Sequence, residues 1–299
     1  MNNQFLKRVS FHVQRNAHNI HLRDTLCGIH KLFLPRPDQS YDGLNTLNIA
    51  KEENEIVNDL SIDGFSDLGI ALSEDQINSI IRNLQGIDCY DTAKKDCPKV
   101  DLTSPGKDVQ LAHYKRNDLI DFPEIVKIVN DSKILNAVSK YLGVKPTVSN
   151  INCWWSFGNR ESAKEAQFYH RDLDDYKFLK LFFYLTDVNE DNGPHIYVKG
   201  SHRSNKLIDL RRFTDDEVSK SFTGDKITTL LKKRGACFLE DTYGIHKGQL
   251  PLNGNRLILQ VQYSYLPLFV EKYEPKGHEL RKSLGLDKYV NRLLFKDNF

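Results

Sequence analysis

Gln167-Phe-Tyr-His-Arg-Asp-Leu-Asp-Asp175, then Phe178-Leu-Lys-Leu-Phe-Phe-Tyr-Leu185, then Asn192-Gly-Pro-His-Ile-Tyr-Val-Lys-Gly-Ser-His202, form the stretch on which the fold reading turns. Its segments are short, rich in β-branched and aromatic residues, and divided by turn residues, the pattern of strands in tight succession. His170 and Asp172 lie two residues apart, so on a strand both side chains point to one face. An imidazole beside a carboxylate offers two adjacent ligands to a borderline divalent metal. With a second imidazole, three ligands on one side leave the opposite positions open, as suits non-haem Fe(II) chemistry. The pair alone also fits solvated turn contacts. His195, His202 and His246 are the candidate third ligands.

Working outward, further strands are expected over 149–157, 167–172, 178–186, 196–199, 227–231, 235–240 and 255–265, with turn signals at Asn192-Gly193-Pro194, Lys233-Arg-Gly235 and Leu252-Asn-Gly254. The last strand alternates. Leu257, Leu259, Val261 and Tyr263 share one face; Arg256, Ile258, Gln260, Gln262 and Ser264 share the other. That second face is either solvated or a polar barrel lumen in which Arg256 presents a planar fork to a carboxylate. Only one of Trp154 and Trp155 can face inward, and the polar loop 159–166 after them is placed to cover the site.

Upstream the pattern is helical. Ser73 and Gln76 read as a capping box, with Ile77, Ile80, Ile81 and Leu84 at helical spacing. A second helix is expected over 123–142 from Ile125, Ile128, Val129, Ile134, Leu135, Val138 and Leu142. Shorter helices are expected over 214–222 and 286–295, and an irregular arm over 1–60. Helices followed by many short strands predict helices packed outside a double-sheet β architecture. The chain reads as a single domain: arm 1–60, helical support 61–146, catalytic core 147–265 and C-terminal extension 266–299.

Of the 299 residues, 39% are hydrophobic, enough for a sizeable core, so wholesale disorder is excluded. Lys and Arg number 42 against 40 Asp and Glu, and a net charge of +2 argues against a nucleic-acid partner. No apolar run is long enough to span a membrane, and because the first residues contain no apolar stretch of the secretory type, no secretory leader is expected. Five scattered cysteines without a CxxC pair read as reduced thiols, and the chain is expected to be cytoplasmic. Lys94-Lys95 and Lys232-Lys233-Arg234 read as solvated turns.

His170-Arg-Asp172, the strand after it, Asn192 through Gly200-Ser-His202, the distal His246 and then Arg256 occur in an order that resembles the phytanoyl-CoA dioxygenase family. The resemblance covers roughly 60–265 and is sharpest at 167–203. It implies a mainly β fold with flanking helices, built on a double-stranded β-helix (a jelly-roll, cupin-like barrel). It implies an Fe(II)- and 2-oxoglutarate-dependent dioxygenase that uses O2, hydroxylates a small-molecule substrate and releases succinate and CO2. Residue by residue, it makes His170, Asp172 and His246 the iron ligands and Arg256 the partner of the distal carboxylate of 2-oxoglutarate. His202 matches a family histidine that is not a ligand. His195 matches no role. The intact Asp172 points to hydroxylation, since related halogenases replace this carboxylate with a small residue.

Two positions depart from the family pattern. Lys199 stands where a proline is common. Gly248 stands where many members carry a hydroxyl that helps hold 2-oxoglutarate, so that contact is either absent, at a cost in co-substrate affinity, or supplied by Lys180, Tyr184 or Gln260. Two other readings compete: a non-catalytic jelly-roll module that binds a ligand, and a cupin-type metalloenzyme without 2-oxoglutarate. The complete ligand set together with Arg256 disfavours both.

Overall fold

The structure, a computed structural model, describes residues 14 and 16–297. Among the described residues, ten strands lie in two antiparallel sheets: β1 (Phe65–Ile70), β2 (Cys89–Tyr90), β3 (Leu111–Tyr114), β4 (Thr147–Phe157), β5 (Phe178–Tyr184), β6 (His195–Val198), β7 (Ile227–Leu230), β8 (Ala236–Glu240), β9 (His246–Gly248) and β10 (Asn255–Ser264). The larger sheet runs β1-β8-β5-β10-β4-β3-β2 and the smaller β7-β6-β9. Together they make the double-stranded β-helix expected from the sequence.

The helices are α1 (Ile20–Lys31), α2 (Glu53–Ile62), α3 (Glu74–Gln85), α4 (Arg116–Leu119), α5 (Pro123–Val129), α6 (Ser132–Leu142), α7 (Asp215–Ser221) and α8 (Glu279–Ser283). The alternation of β10 explains where the main core sits. Leu257, Leu259, Val261 and Tyr263 turn outward and join Ile77, Ile80, Leu84 and the apolar residues of α5 and α6 in one buried cluster. The face carrying Arg256 and Gln260 turns inward, so the lumen reading of that strand holds: both residues are buried. A second cluster, including Phe65, Phe182, Tyr184, Tyr197, Phe238 and Ile258, fills the barrel below the site. The capping box of α3 is present, with Gln76 N–H donating to Ser73 Oγ at 3.2 Å and Ser73 N–H to Gln76 Oε1 at 2.9 Å.

Four expectations need correction. The stretch 123–142 is two helices, not one. Asp131 caps α6 by accepting from the N–H groups of Lys133 and Ile134, while its other oxygen accepts from Thr46 and Leu47 at 2.8 and 2.9 Å. Apolar spacing continues across the break because both helices pack on the same core. Within 1–60, α1 and α2 replace the irregular arm. In α1 only Arg23 and Cys27 are buried, too few to show a helical stripe; residues 1–13 and 15 lie outside the described residues. The segment 167–172 is not a strand but makes isolated bridges, Tyr169 to Phe213 and His170 to His246, since its neighbours are an irregular insert and the three-residue β9. The closing helix is α8, whereas Leu286–Phe295 is a set of turns that buries Leu286, Val290, Leu294 and Phe295 and pairs the amides of Asn130 and Asn291.

Candidate metal and co-substrate site

His170 and His246 bond backbone to backbone, N–H to C=O at 2.9 and 3.0 Å in the two directions, and Asp172 N–H donates to Thr242 O at 2.9 Å. This ladder fragment keeps His170 and Asp172 on one face without a strand and brings His246 beside them. The His170 Nε2 to Asp172 Oδ1 and His246 Nε2 to Asp172 Oδ2 distances are both 3.4 Å. One ligand atom from each residue lies within 4.8 Å of the others.

Each imidazole is oriented from behind. His170 Nδ1 sits 2.9 Å from Phe168 O and His246 Nδ1 sits 2.9 Å from Gly244 O. A carbonyl only accepts, so both rings donate from Nδ1 and turn Nε2 toward Asp172, the orientation that presents Nε2 to a metal. Burial pushes the His170 pKa down, with His246 adding to the effect. Burial alone would raise that of Asp172, yet Lys180 and the two histidines hold it well below the usual range. The donor set is two imidazoles and one carboxylate, which fits Fe(II).

Arg256 lies across the cavity. It is buried, and among the described residues only its Nη2 has a protein partner, Ser156 Oγ at 3.3 Å, while Nε and Nη1 have none. A buried guanidinium without a carboxylate is costly, and its open fork fits an incoming anion. A Cβ built on Gly248 would stand 3.2 Å from Nη2, so glycine makes room for that fork. The triad, Lys180, Ser156, Arg256 and Gln260 all line one cavity of about 170 Å³.

A model of the phytanoyl-CoA dioxygenase family matches residues 63–249. The chain belongs to this family. As such it is an Fe(II)- and 2-oxoglutarate-dependent dioxygenase that uses O2. Among solved structures it is similar to the non-haem alpha-ketoglutarate-dependent carbocyclase SnoK from nogalamycin biosynthesis, at 17% identity and a TM-score of 0.53, over 75% of this chain and 87% of that one. It is also similar to EvdO2 from Micromonospora carbonacea var. aurantiaca, complexed with 2-oxoglutarate, at 13% identity and a TM-score of 0.50, over 73% and 92%. At such identities the likeness shows the shared fold. No curated protein matches the chain.

The other residues singled out in this phytanoyl-CoA dioxygenase relative fall in different places. Gln260 reaches the cavity, its amide oxygen accepting from Asn152 at 3.1 Å. Lys180 also reaches it, but its ammonium is held by Asp172 at 2.7 Å and Asp174 at 2.8 Å, so it steadies a triad residue instead of standing free for a co-substrate. Tyr184 is a correction. Its hydroxyl is buried, donates to Leu230 O at 3.2 Å and accepts from His195 N–H at 2.9 Å, so it has no hydrogen bond left to offer. His202 is buried away from the triad, packed over Gly64. Trp154 faces the cavity, while Trp155 packs on the outer core and donates to Tyr114 Oη at 3.2 Å. The loop 159–166 ends at the cavity through Ala166.

Sequence reasoning missed Ser156 and the pairing of His195. Ser156 shares the inward face of β4 with Trp154, a period-two signal available in the sequence, but its place opposite Arg256 is a matter of register between strands 100 residues apart. His195 Nε2 lies 2.9 Å from Glu240 Oε2, both residues being buried. Burial, then Arg256, pushes His195 down to about 3, and burial raises Glu240 to about 8, so both shifts favour the uncharged forms.

Proposed function

We propose that this dioxygenase hydroxylates a polar small molecule, with His170, Asp172 and His246 holding Fe(II) and with Arg256 and Ser156 holding the distal carboxylate of 2-oxoglutarate. The observation that carries the reading is the pairing, in one small cavity, of a two-imidazole, one-carboxylate cluster with a buried guanidinium that has two unpartnered N–H groups. When bound, iron and 2-oxoglutarate supply an oxidant made from O2, with succinate and CO2 released. The protein's own side chains orient and shield. Phe168 O and Gly244 O fix the imidazole tautomers, Lys180 fixes the Asp172 carboxylate, and the Ser156 hydroxyl stands in for the one that Gly248 lacks.

A second cavity of about 430 Å³ opens beside Asp172 and is lined by Arg171, Leu173, Asp174, Asp209, Arg212 and Tyr243 among others. Its volume suits a small molecule and its mixed charges suit a polar one. We assign 147–265 as the catalytic core, with the flanking segments as support. A cytoplasmic setting accords with the free cysteines, four of them buried. No helix among the described residues is long and apolar enough to cross a membrane.

The test is metal analysis of purified variants. His170→Ala, Asp172→Ala and His246→Ala are each expected to lose tight Fe(II) binding and turnover, while His202→Ala keeps its iron. Full iron occupancy in His246→Ala would refute the ligand set. Anaerobic addition of Fe(II) and 2-oxoglutarate to the parent protein is expected to give a weak visible charge-transfer band, which a binding module would not show.

A further inference from the structure

We propose that His195 is a hydrogen-bond donor to 2-oxoglutarate, through Nδ1, in the space between the metal-binding side chains and Arg256. The proposal rests on the reading of the site above and adds a contact that reading does not use. Sheet register fixes the position. β6 pairs with β9 so that His195 lies opposite Gly248 and Tyr197 opposite His246. Strand alternation puts His246 and Gly248 on one face, and residues directly opposite one another share a face. His195 therefore projects to the same side as His246, and the two rings stack at 5.5 Å with 22° between planes. Its other neighbour, Gly248, is the residue that borders the Arg256 guanidinium. A ligand anchored by metal at one end and Arg256 at the other passes over this ring, which lines the cavity.

The chemistry of the ring then follows from the ligand. Nε2 is occupied by Glu240, and no partner is found for Nδ1 among the described residues. A keto dicarboxylate offers only oxygen acceptors, so Nδ1 must carry the proton, Nε2 must accept, and Glu240 must donate as an acid. The surroundings of Glu240 suit a neutral acid. It is fully buried, Phe182 and Phe238 lie against its histidine at 5.0 and 5.5 Å, and its Oε1 has no partner. A purely structural role, tying β6 to β8, makes a different demand: it needs the Nε2 contact and is indifferent to Nδ1.

The two demands separate in two variants of the full chain, loaded anaerobically with Fe(II) and titrated with 2-oxoglutarate. Binding is read from the charge-transfer band and from the melting temperature. His195→Asn places an amide nitrogen where Nδ1 was and is expected to keep affinity within about threefold. His195→Gln reaches toward Glu240 but leaves the Nδ1 position empty, and is expected to bind about tenfold more weakly or worse, with iron content unchanged. Equal affinities, or weaker binding by the Asn variant, overturn the proposal. A parent protein that takes up iron but not 2-oxoglutarate overturns the site reading as well, so the two failures are distinguishable. Should the Gln variant not load iron, the tautomer decides. Nitrogen NMR of histidine-labelled parent protein with Zn(II) and 2-oxoglutarate must show His195 protonated at Nδ1; protonation at Nε2 overturns the proposal.

Discussion

At the scale of single residues, Arg256 is the most informative side chain after the triad. It is buried without a carboxylate partner among the described residues, and the proposed anion would complete it. Arg256→Ala is expected to weaken 2-oxoglutarate binding by roughly 2–5 kcal/mol with iron content unchanged, and Arg256→Lys to fall between, since a point charge attracts without the two-pronged geometry. Ser156→Ala should cost less, about 1 kcal/mol, the usual size of one hydrogen bond. Titration of the three variants with 2-oxoglutarate checks the ranking; an Arg256→Ala protein that binds as the parent does removes the clamp. The grouping of His170, Asp172, His246 and Arg256 around one cavity was legible because each sits at a distinctive point in a local pattern. Ser156 and Glu240 were not, because what distinguishes them is a partner on another strand. Lys180 and Tyr184 show the converse. Residue type and strand made both candidates, and only the hydrogen bonds reveal that Asp172 has claimed one and the backbone the other.

At the scale of elements, the connections around the site matter more than the strands. Arg171, between two proposed ligands, directs its guanidinium to five carbonyl oxygens: Leu207, Ser201, Tyr243, Ser204 and Lys206, at 2.6 to 3.0 Å. It thereby joins the insert after β6 to the loop that leads into His246. Its ring partner Tyr243 is covered on another side by Arg23 of α1. Arg171→Lys keeps the charge but loses the planar five-donor fork. It is expected to lower stability by roughly 2–4 kcal/mol and to speed hydrogen exchange in 201–207, with weaker iron binding as the loop before His246 loosens. Exchange mass spectrometry checks this, and unchanged protection in 201–207 would remove the staple from the account. Element boundaries were legible where local chemistry sets them, as with the capping box of α3. They were not where distant chain does so, as at Asp131, whose second oxygen is held by Thr46 and Leu47 from 85 and 84 residues away. The period of α5 and α6 runs on through that break, so apolar spacing alone cannot see it.

At the scale of the whole molecule, the barrel holds unlike environments in one lumen. The polar end gathers His170, Asp172, His246 and Arg256 around one cavity, and in the aromatic floor Phe182 and Phe238 pack against the ring of His195. The two-sheet architecture was legible from the succession of short strands, and the lumen from the alternation on β10. The buried acid was not, since Glu240 ends an ordinary apolar run, Ala236–Glu240. That acid has a consequence for global stability. Its folded pKa is raised from 4.5 to about 8, so between those values the folded chain binds more protons than the unfolded one, and stability falls as pH rises. His195, lowered from 6.5 to about 3, works the other way, but only below 6.5. Asp175, raised by burial from 3.8 to about 7, adds to the fall only up to that pH. Between about pH 7 and 8 the decline belongs to Glu240 alone among these three groups, with a slope of at most about 1.4 kcal/mol per pH unit. Metal-free protein is the right sample, because ligand deprotonation would otherwise add its own pH dependence. Calorimetry is expected to show the melting temperature dropping by roughly 2 °C across that unit in the parent, and little change in Glu240→Gln, whose amide fills the same space without a proton to lose. A Glu240→Gln protein that declines as steeply as the parent would mean that Glu240 is already ionised at neutral pH, with His195 donating to it through Nε2.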